Sequence, residues 1–305
     1  EEQLDLAGCS TELLLLRASM ETDRLAATPD NSQRLSPWVR RLAVFGIAKV
    51  VQRMQLAESA VFQGLALLDA WLAARAPDTF DSDLIRKIPA ACTAAVRVLY
   101  QTGAVNQADV LMWHDAAAAI GEEIPGLCNN WFDLQPHDFR AQELGLLRSL
   151  RWQVNVPSVE YWLSMLEKRF GVLTEDVFSR SVSWAGKALR QLAFTIVQCR
   201  PADKLHAPRR LAGGLFGIGL LRATLLPAEA LRPQHVCQDE WTELFQQSQM
   251  MVQMPTCTLH PDHVSLVLGY LVTATNLPLE EIQQDCELTM GCLRGARGDL
   301  RRMLV

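Results

Sequence analysis

Long apolar runs are missing from this chain of 305 residues. The longest candidate, Leu211 to Leu221, falls short of the roughly 18 apolar residues that a bilayer-spanning helix needs, so no membrane span is expected. Charge of one sign is not in excess either: Lys+Arg number 29 against Asp+Glu 34, a net charge of −5. Basic pairs such as Arg209-Arg210 and Arg301-Arg302 stand alone, which is not the footprint of a nucleic-acid binder. None of the eight cysteines falls in a C-x-x-C. Reduced, buried thiols are therefore expected, in an intracellular protein or equally in an organelle interior. Strand-like alternation is scarce. Leu13 to Leu16 is apolar but lacks the basic flank and small-residue site of a secretory signal. The chain opens on Glu1-Glu2 rather than Met, as expected of a processed or trimmed polypeptide.

What is present is helical periodicity. Hydrophobic residues make up 49% of the chain and charged ones 21%, ample for buried cores. The most ordered pattern runs from Ser36 to Arg75. Val44, Ile47, Val51 and Met54 repeat at helical spacing, and so do Val61, Leu65, Leu68 and Leu72. Two such wide apolar faces joined by a short connection predict a helical hairpin inside an all-helical domain. Asp69 is the one ionised residue between Ala60 and Ala73. It is either a solvated residue at the end of the face or a carboxylate kept for a partner, since an unpaired charge in apolar surroundings is costly.

Further helices are predicted over 10–27, 82–101, 107–120 and 138–150, with Ser10 or Thr11 capping the first. The small residues AACTAA at 90–95 permit close approach and mark the 82–101 helix as the central one. Thr28 to Pro37 and Gly121 to Pro136 read as linker and loop. A second set is predicted at 157–169, 174–199, 206–224, 235–252, 261–275 and 278–297. Prolines fall at its helix starts or between helices, where they are tolerated. The length fits two domains of ordinary size.

The order of these pieces resembles the cyclin family. WVRRLAVFGIAKVVQRMQL is similar to the first helix of a cyclin box, and LALLDAWL to the second, usually written with a tyrosine, Ile-Asp-Arg and Phe-Leu. IPAACTAAVRVL resembles the small-residue third helix. AQELGLLRSLRWQVNVPSVEYWL resembles the fifth helix, its Leu-x-Phe/Trp ending and the entry to a second box. HAPRRLAGGLFGIGLL resembles the family's Leu-Pro-Ser-x-Ile-Ala-Gly-Ala-Ala-Phe stretch. The resemblance covers residues 36 to 275. It implies an all-α fold of two tandem five-helix cyclin-box bundles with an N-terminal helix: 1–35 as N-terminal helix and linker, 36–154 as the first box, 155–305 as a second cyclin-like box with a C-terminal helix.

The same resemblance implies a regulatory subunit without catalysis or cofactor, in the nucleus or cytoplasm. Its partner would be a cyclin-dependent protein kinase, bound through helices 3 and 5 of the first box. The alternative is a scaffold subunit bound to other subunits of a large assembly. Arg40 and Asp69 match an arginine and aspartate that pair inside the family's box, a structural ion pair. Glu143 matches the fifth-helix glutamate of the kinase interface. Gln101 stands where the family has the kinase-contacting lysine, and Gly103 and Ala104 stand where an acidic pair follows. In the substrate-docking groove Val39 and Leu42 remain, but Gly46 replaces the tryptophan and Phe45 the aspartate.

Other chemistry finds little purchase. His260 and His263 in HPDH could share a helix face as a metal pair, but Pro261 favours a helix cap there. GGLFGIG has glycines at 213, 214, 217 and 219. No strand precedes it and no Gly-Lys-Ser/Thr follows, so close helix packing is favoured over a phosphate loop. Glu122 and Glu123 near His114 read as solvated loop charges. Cys92 has no neighbouring cation to lower its pKa, so no poised nucleophile is expected. No catalytic or metal residue is assigned. Of the eight tryptophans, most are expected in cores, with Trp113 and Trp131 as candidate exposed anchors.

Overall fold

Apolar side chains recurring at three and four residues can be buried only if the chain coils. The computed structural model describes residues 2–27, 37–73, 84–100, 114, 118, 135–152, 154, 157–199, 208–223, 225–249 and 263–303. Among the described residues every regular element is helical, and the expected all-α class holds. The helices are α1 (Glu2–Leu6), α2 (Thr11–Ala27), α3 (Pro37–Arg53), α4 (Ser59–Ala73), α5 (Leu84–Tyr100), α6 (Pro136–Ser149), α7 (Val159–Leu173), α8 (Ser179–Cys199), α9 (Pro208–Arg222), α10 (Gln238–Gln249), α11 (Val264–Thr275) and α12 (Leu279–Met303). A short 3-10 turn, Ala228–Leu231, precedes α10. None of the described helices is long and apolar enough to cross a membrane.

Local chemistry sets the ends. The Leu13 N–H donates to Ser10 Oγ at 3.2 Å, capping α2. Pro37, Pro136 and Pro208 occupy first helical positions, where a missing N–H costs nothing. The Gln135 N–H donates to the Asp138 carboxylate at 2.9 Å, placing a negative charge at the start of α6. Asn276 closes α11 in the left-handed region with φ 51, which Asn tolerates well.

The chain divides into two compact units. One, the middle unit, spans Ala26–Ser158; the other, the outer unit, joins Glu1–Leu25 to Val159–Arg200 and Leu205–Val305. The sequence sets residues 1–35 apart as a helix and linker. In the structure Glu1–Leu25 belongs to the same unit as the chain after Val159. Leu4 of α1 and Cys9 pack on Met165 of α7.

In the middle unit α5 lies between α3, α4 and α6. Ala91, Cys92, Ala94, Ala95 and Val96 are all buried, and their small volumes let three helices close on one. At the α3–α4 crossing a Cβ on Gly64 would come 3.2 Å from Ile47 and 3.3 Å from Val96, so this glycine sets the approach of the three helices.

In the outer unit α9 packs against α7, α8 and α12, and every residue from Leu211 to Leu221 is buried. Three glycines of GGLFGIG are points of close helix contact. A Cβ on Gly214 would lie 2.1 Å from the Asp285 carbonyl oxygen, one on Gly217 would lie 2.6 Å from Cys286 Sγ, and one on Gly219 would lie 2.9 Å from Leu189. Phe170 closes this core, edge-on to Phe216 at 5.5 Å and to Tyr270 at 6.3 Å.

Candidate functional site

The residues matched to the cyclin pattern fall on α3, α4 and α6 of the middle unit and just beyond α5. Asp69 is half-buried on α4. Burial, and after it the negative charge of Asp69, push the Cys92 thiol of α5 well above its ordinary value. Cys92 is thus held protonated against the Ala43 carbonyl, and nothing about it suits nucleophilic chemistry. The Arg40 side chain lies outside the described residues, as do those of Val39 and Leu42, although all three backbones lie in α3. Gly46 is buried on the same helix. Phe45 is half-buried, with the Lys49 ammonium 5.3 Å from its ring centroid. Glu143 is half-buried on the flank of α6, beside the core face made by Phe139, Leu146 and Leu150. Gln101, Gly103 and Ala104 lie outside the described residues.

Other sequence candidates divide in the same way. His263 is the exposed N-cap of α11, while His260, Asp262 and Cys257 lie outside the described residues. So do Glu122, Glu123, Trp113 and Trp131. Among the described residues no group of three His, Cys, Asp or Glu side chains comes together to hold a metal. Trp71, Trp162 and Trp241 are core residues as expected, but Trp152 is 64% exposed.

Among the described residues the densest polar chemistry sits in the outer unit, and sequence reasoning missed it. Arg169 on α7 is fully buried. Its guanidinium donates to the Ala274 carbonyl at 2.8 Å, the Thr273 carbonyl at 3.0 Å, the Cys9 carbonyl at 2.5 Å and Thr11 Oγ1 at 3.1 Å. Two of these acceptors are end carbonyls of α11, which have no partner within their own helix. Arg169 therefore neutralises a helix C-terminus and ties the start of α2 to it. The signal was legible: Arg169 falls on the stripe of Val159, Trp162 and Leu166, where a charge is out of place.

Glu21 of α2 is the second node. Its carboxylate accepts the indole N–H of Trp162 at 2.5 Å and the backbone N–H of Arg209, at the start of α9, at 3.2 Å. A carboxylate at a helix N-terminus is a favoured anion position. The Arg209 guanidinium reaches the Thr275 carbonyl at 3.2 Å and stands 6.0 Å from the Trp162 ring centroid. Next to it Arg210 bonds buried Asp285 at 2.6 Å. Burial raises the Asp285 carboxyl above its ordinary value; Arg210 pulls it down and Glu281 adds to the rise. Every member of this network faces another member or a helix end, so it is suited to holding helices together. No family model matches the chain, and no curated protein matches it.

Proposed function

We propose that this chain is a cyclin-like regulatory subunit that binds a cyclin-dependent protein kinase through the face formed by α5 and α6. In this reading 36–154 and 155–305 are tandem cyclin boxes, Arg40 and Asp69 brace the first from within, and Gln101 and Glu143 lie near the kinase. The chain performs no catalysis of its own and works in the nucleus or cytoplasm.

One observation carries most of the weight. The third helix of 36–154 and the third helix of 155–305 are each buried among their neighbours and lined by small residues: Ala91 to Ala95 on α5 and GGLFGIG on α9. A repeated bundle with that centre is what the colinear resemblance implies. Purification of the intact chain from its own cells, followed by mass spectrometry and a kinase assay, is the test. A protein kinase that co-purifies with the wild type, and is lost with Glu143→Arg, is the expected result. Recovery of the chain without any kinase refutes the reading.

A second reading has its own support. Gln101 replaces the contact lysine, and Gly103 and Ala104 replace the acidic pair. Loss of a charged contact removes about 1–3 kcal/mol from an interface. This favours a cyclin-fold scaffold subunit of a larger assembly, in which α5 and α6 are covered by a structural partner. Co-purification of a stable multiprotein complex free of kinase activity selects it.

A further inference from the structure

On α6 the side chains turned from the core are His137, Arg140, Ala141, Leu144 and Arg148, all exposed. Their spacing of three and four places them on one helix face, opposite buried Phe139, Leu146 and Leu150. The chain then continues through Arg151 and Trp152, both exposed. Leu144 is 46% exposed and Trp152 64%. Glu143 is half-buried, nearer the core side, and Asp138, at the start of α6, lies 3.6 Å from His137. From Leu144 through Arg148 to Arg151 and Trp152 the outward positions are basic and apolar with no acidic residue among them, on a chain whose net charge is −5.

The backbone adds a second observation. Arg151 and Trp152 both lie in the left-handed region, with φ 48 and 63. The Arg151 N–H donates to the Arg148 carbonyl at 3.0 Å and the Trp152 N–H to the Leu147 carbonyl at 2.9 Å. This is the usual way to close a helix, but glycine is the usual residue for it, and the next side chain usually folds back onto apolar neighbours. Here neither holds. Left-handed backbone costs a residue with a side chain about 1–2 kcal/mol, and the strained residue displays an indole in water. Arginine at a helix C-terminus offsets the macrodipole, which accounts for Arg148 and Arg151 on α6 alone. It does not account for an exposed Leu144 and a strained, exposed Trp152 beside them.

We propose that this stripe docks an acidic peptide segment of a partner protein. The segment's carboxylates meet the guanidinium groups of Arg148 and Arg151, and an apolar side chain packs on Leu144 and the Trp152 indole. Tryptophan and arginine are the residues that most often carry binding energy at interfaces, and planar guanidinium matches carboxylate geometry. A nucleic acid fits less well, because the chain lacks the broad positive field that phosphate binding draws on. The proposal deepens the partner-binding reading above and rests on it for the choice of α6 as the partner-facing helix.

The test uses the full chain and a short fluorescein-labelled peptide of glutamate and leucine, read by fluorescence anisotropy. Controls are the same peptide with lysine for glutamate and a labelled oligothymidylate. The Glu/Leu peptide binds, and the lysine peptide does not. The double variant Arg148→Glu/Arg151→Glu weakens binding about tenfold or more. Trp152→Gly weakens it about tenfold while the melting temperature rises by about 3 °C, because glycine relieves the left-handed strain. Equal binding by wild type and both variants overturns the proposal, as does no binding by the wild type. Oligothymidylate binding as tight as the peptide's, lost in the same variants, overturns it in favour of a general polyanion surface. A co-purifying kinase retained in full by the Trp152→Gly chain refutes this docking surface and leaves the kinase reading standing. Peptide binding with no kinase recovered does the reverse.

Discussion

The contact between α9 and α12 gives the most exacting test of the fold, because it separates backbone from side-chain crowding. A methyl group added at Gly214 would sit 2.1 Å from the Asp285 carbonyl oxygen, 2.7 Å from its carbonyl carbon and 2.2 Å from Thr289 Oγ1. The first two atoms are backbone of α12 and can retreat only if the helix does, by about 1 Å. Overpacking of this kind costs about 1–3 kcal/mol and sometimes more. The better helix propensity of alanine returns about 1 kcal/mol. Gly214→Ala should therefore lose about 1–2 kcal/mol net, lowering the melting temperature by about 2–8 °C. Gly213→Ala is the matched control: its methyl meets nothing nearer than Asp285 Oδ2 at 3.7 Å. It gains the propensity and should be more stable than wild type by about 0.5–1 kcal/mol. Adding Thr289→Ala to Gly214→Ala removes the hydroxyl clash and leaves the carbonyl one, so it restores only part of the loss. At Gly217 the nearest obstacle is the Cys286 side chain, and Cys286→Ala should rescue Gly217→Ala far more fully. Urea unfolding followed by tryptophan fluorescence reads all of these. Gly214→Ala as stable as Gly213→Ala would refute the close crossing on which the outer unit is built.

Four further outcomes follow from the polar groups. Arg169→Met strands the carbonyls of Thr273, Ala274 and Cys9 and should cost about 3 kcal/mol in urea unfolding; Arg169→Lys recovers little, since one ammonium cannot span the same acceptors. Glu21→Ala should cost about 2 kcal/mol by the same measurement, and Glu21→Gln less, because an amide oxygen still accepts one of the two N–H groups. Burial raises the Asp285 carboxyl, so the folded chain holds that proton more tightly than the unfolded chain. The stability this residue contributes is complete below the ordinary value of 3.8 and fades as pH climbs through the raised one. The wild-type advantage over Asp285→Asn should shrink as pH rises above the ordinary carboxyl value, and an advantage that grows in that direction contradicts the assignment. Among Cys9, Cys92, Cys237, Cys286 and Cys292, only exposed Cys237 should react promptly with a thiol reagent in the native protein. Burial pushes the Cys92 and Cys286 thiols up, and peptide mapping after brief alkylation checks the order.

Periodicity alone located most of the helices. The 82–101 expectation became Leu84–Tyr100 and the 206–224 expectation Pro208–Arg222. Apolar spacing reports the turn-by-turn geometry that it reflects, so these elements were legible. Helix α1 was not foreseen, because five residues are too few to establish a period. The 174–199 expectation starts late, at Ser179, because Glu175 and Asp176 take left-handed backbone and break the coil first. Asp69 and Arg169 were equally visible as charges on apolar stripes, yet only Asp69 drew notice. A sequence marks which face is buried and says nothing of what covers it. The meeting of Glu21 with Arg209 is 188 positions long and belongs to tertiary structure alone. Trp152 went unmarked for a related reason. Aromatic content suggests a core, and only backbone geometry shows that this ring is turned to water.

The bond from Glu21 to the start of α9 has a bearing on how the chain is made. A ribosome adds about 5–20 residues each second, so Glu21 emerges about 10–40 seconds before the amide that satisfies it. The whole middle unit is synthesised in that interval and can fold first. Until α7 is made the inner faces of α1 and α2 stay bare, without the surface that shelters them later. A nascent chain in this condition is a natural client for holdase chaperones. Slow translation across 159–222 should lengthen its exposure to proteases.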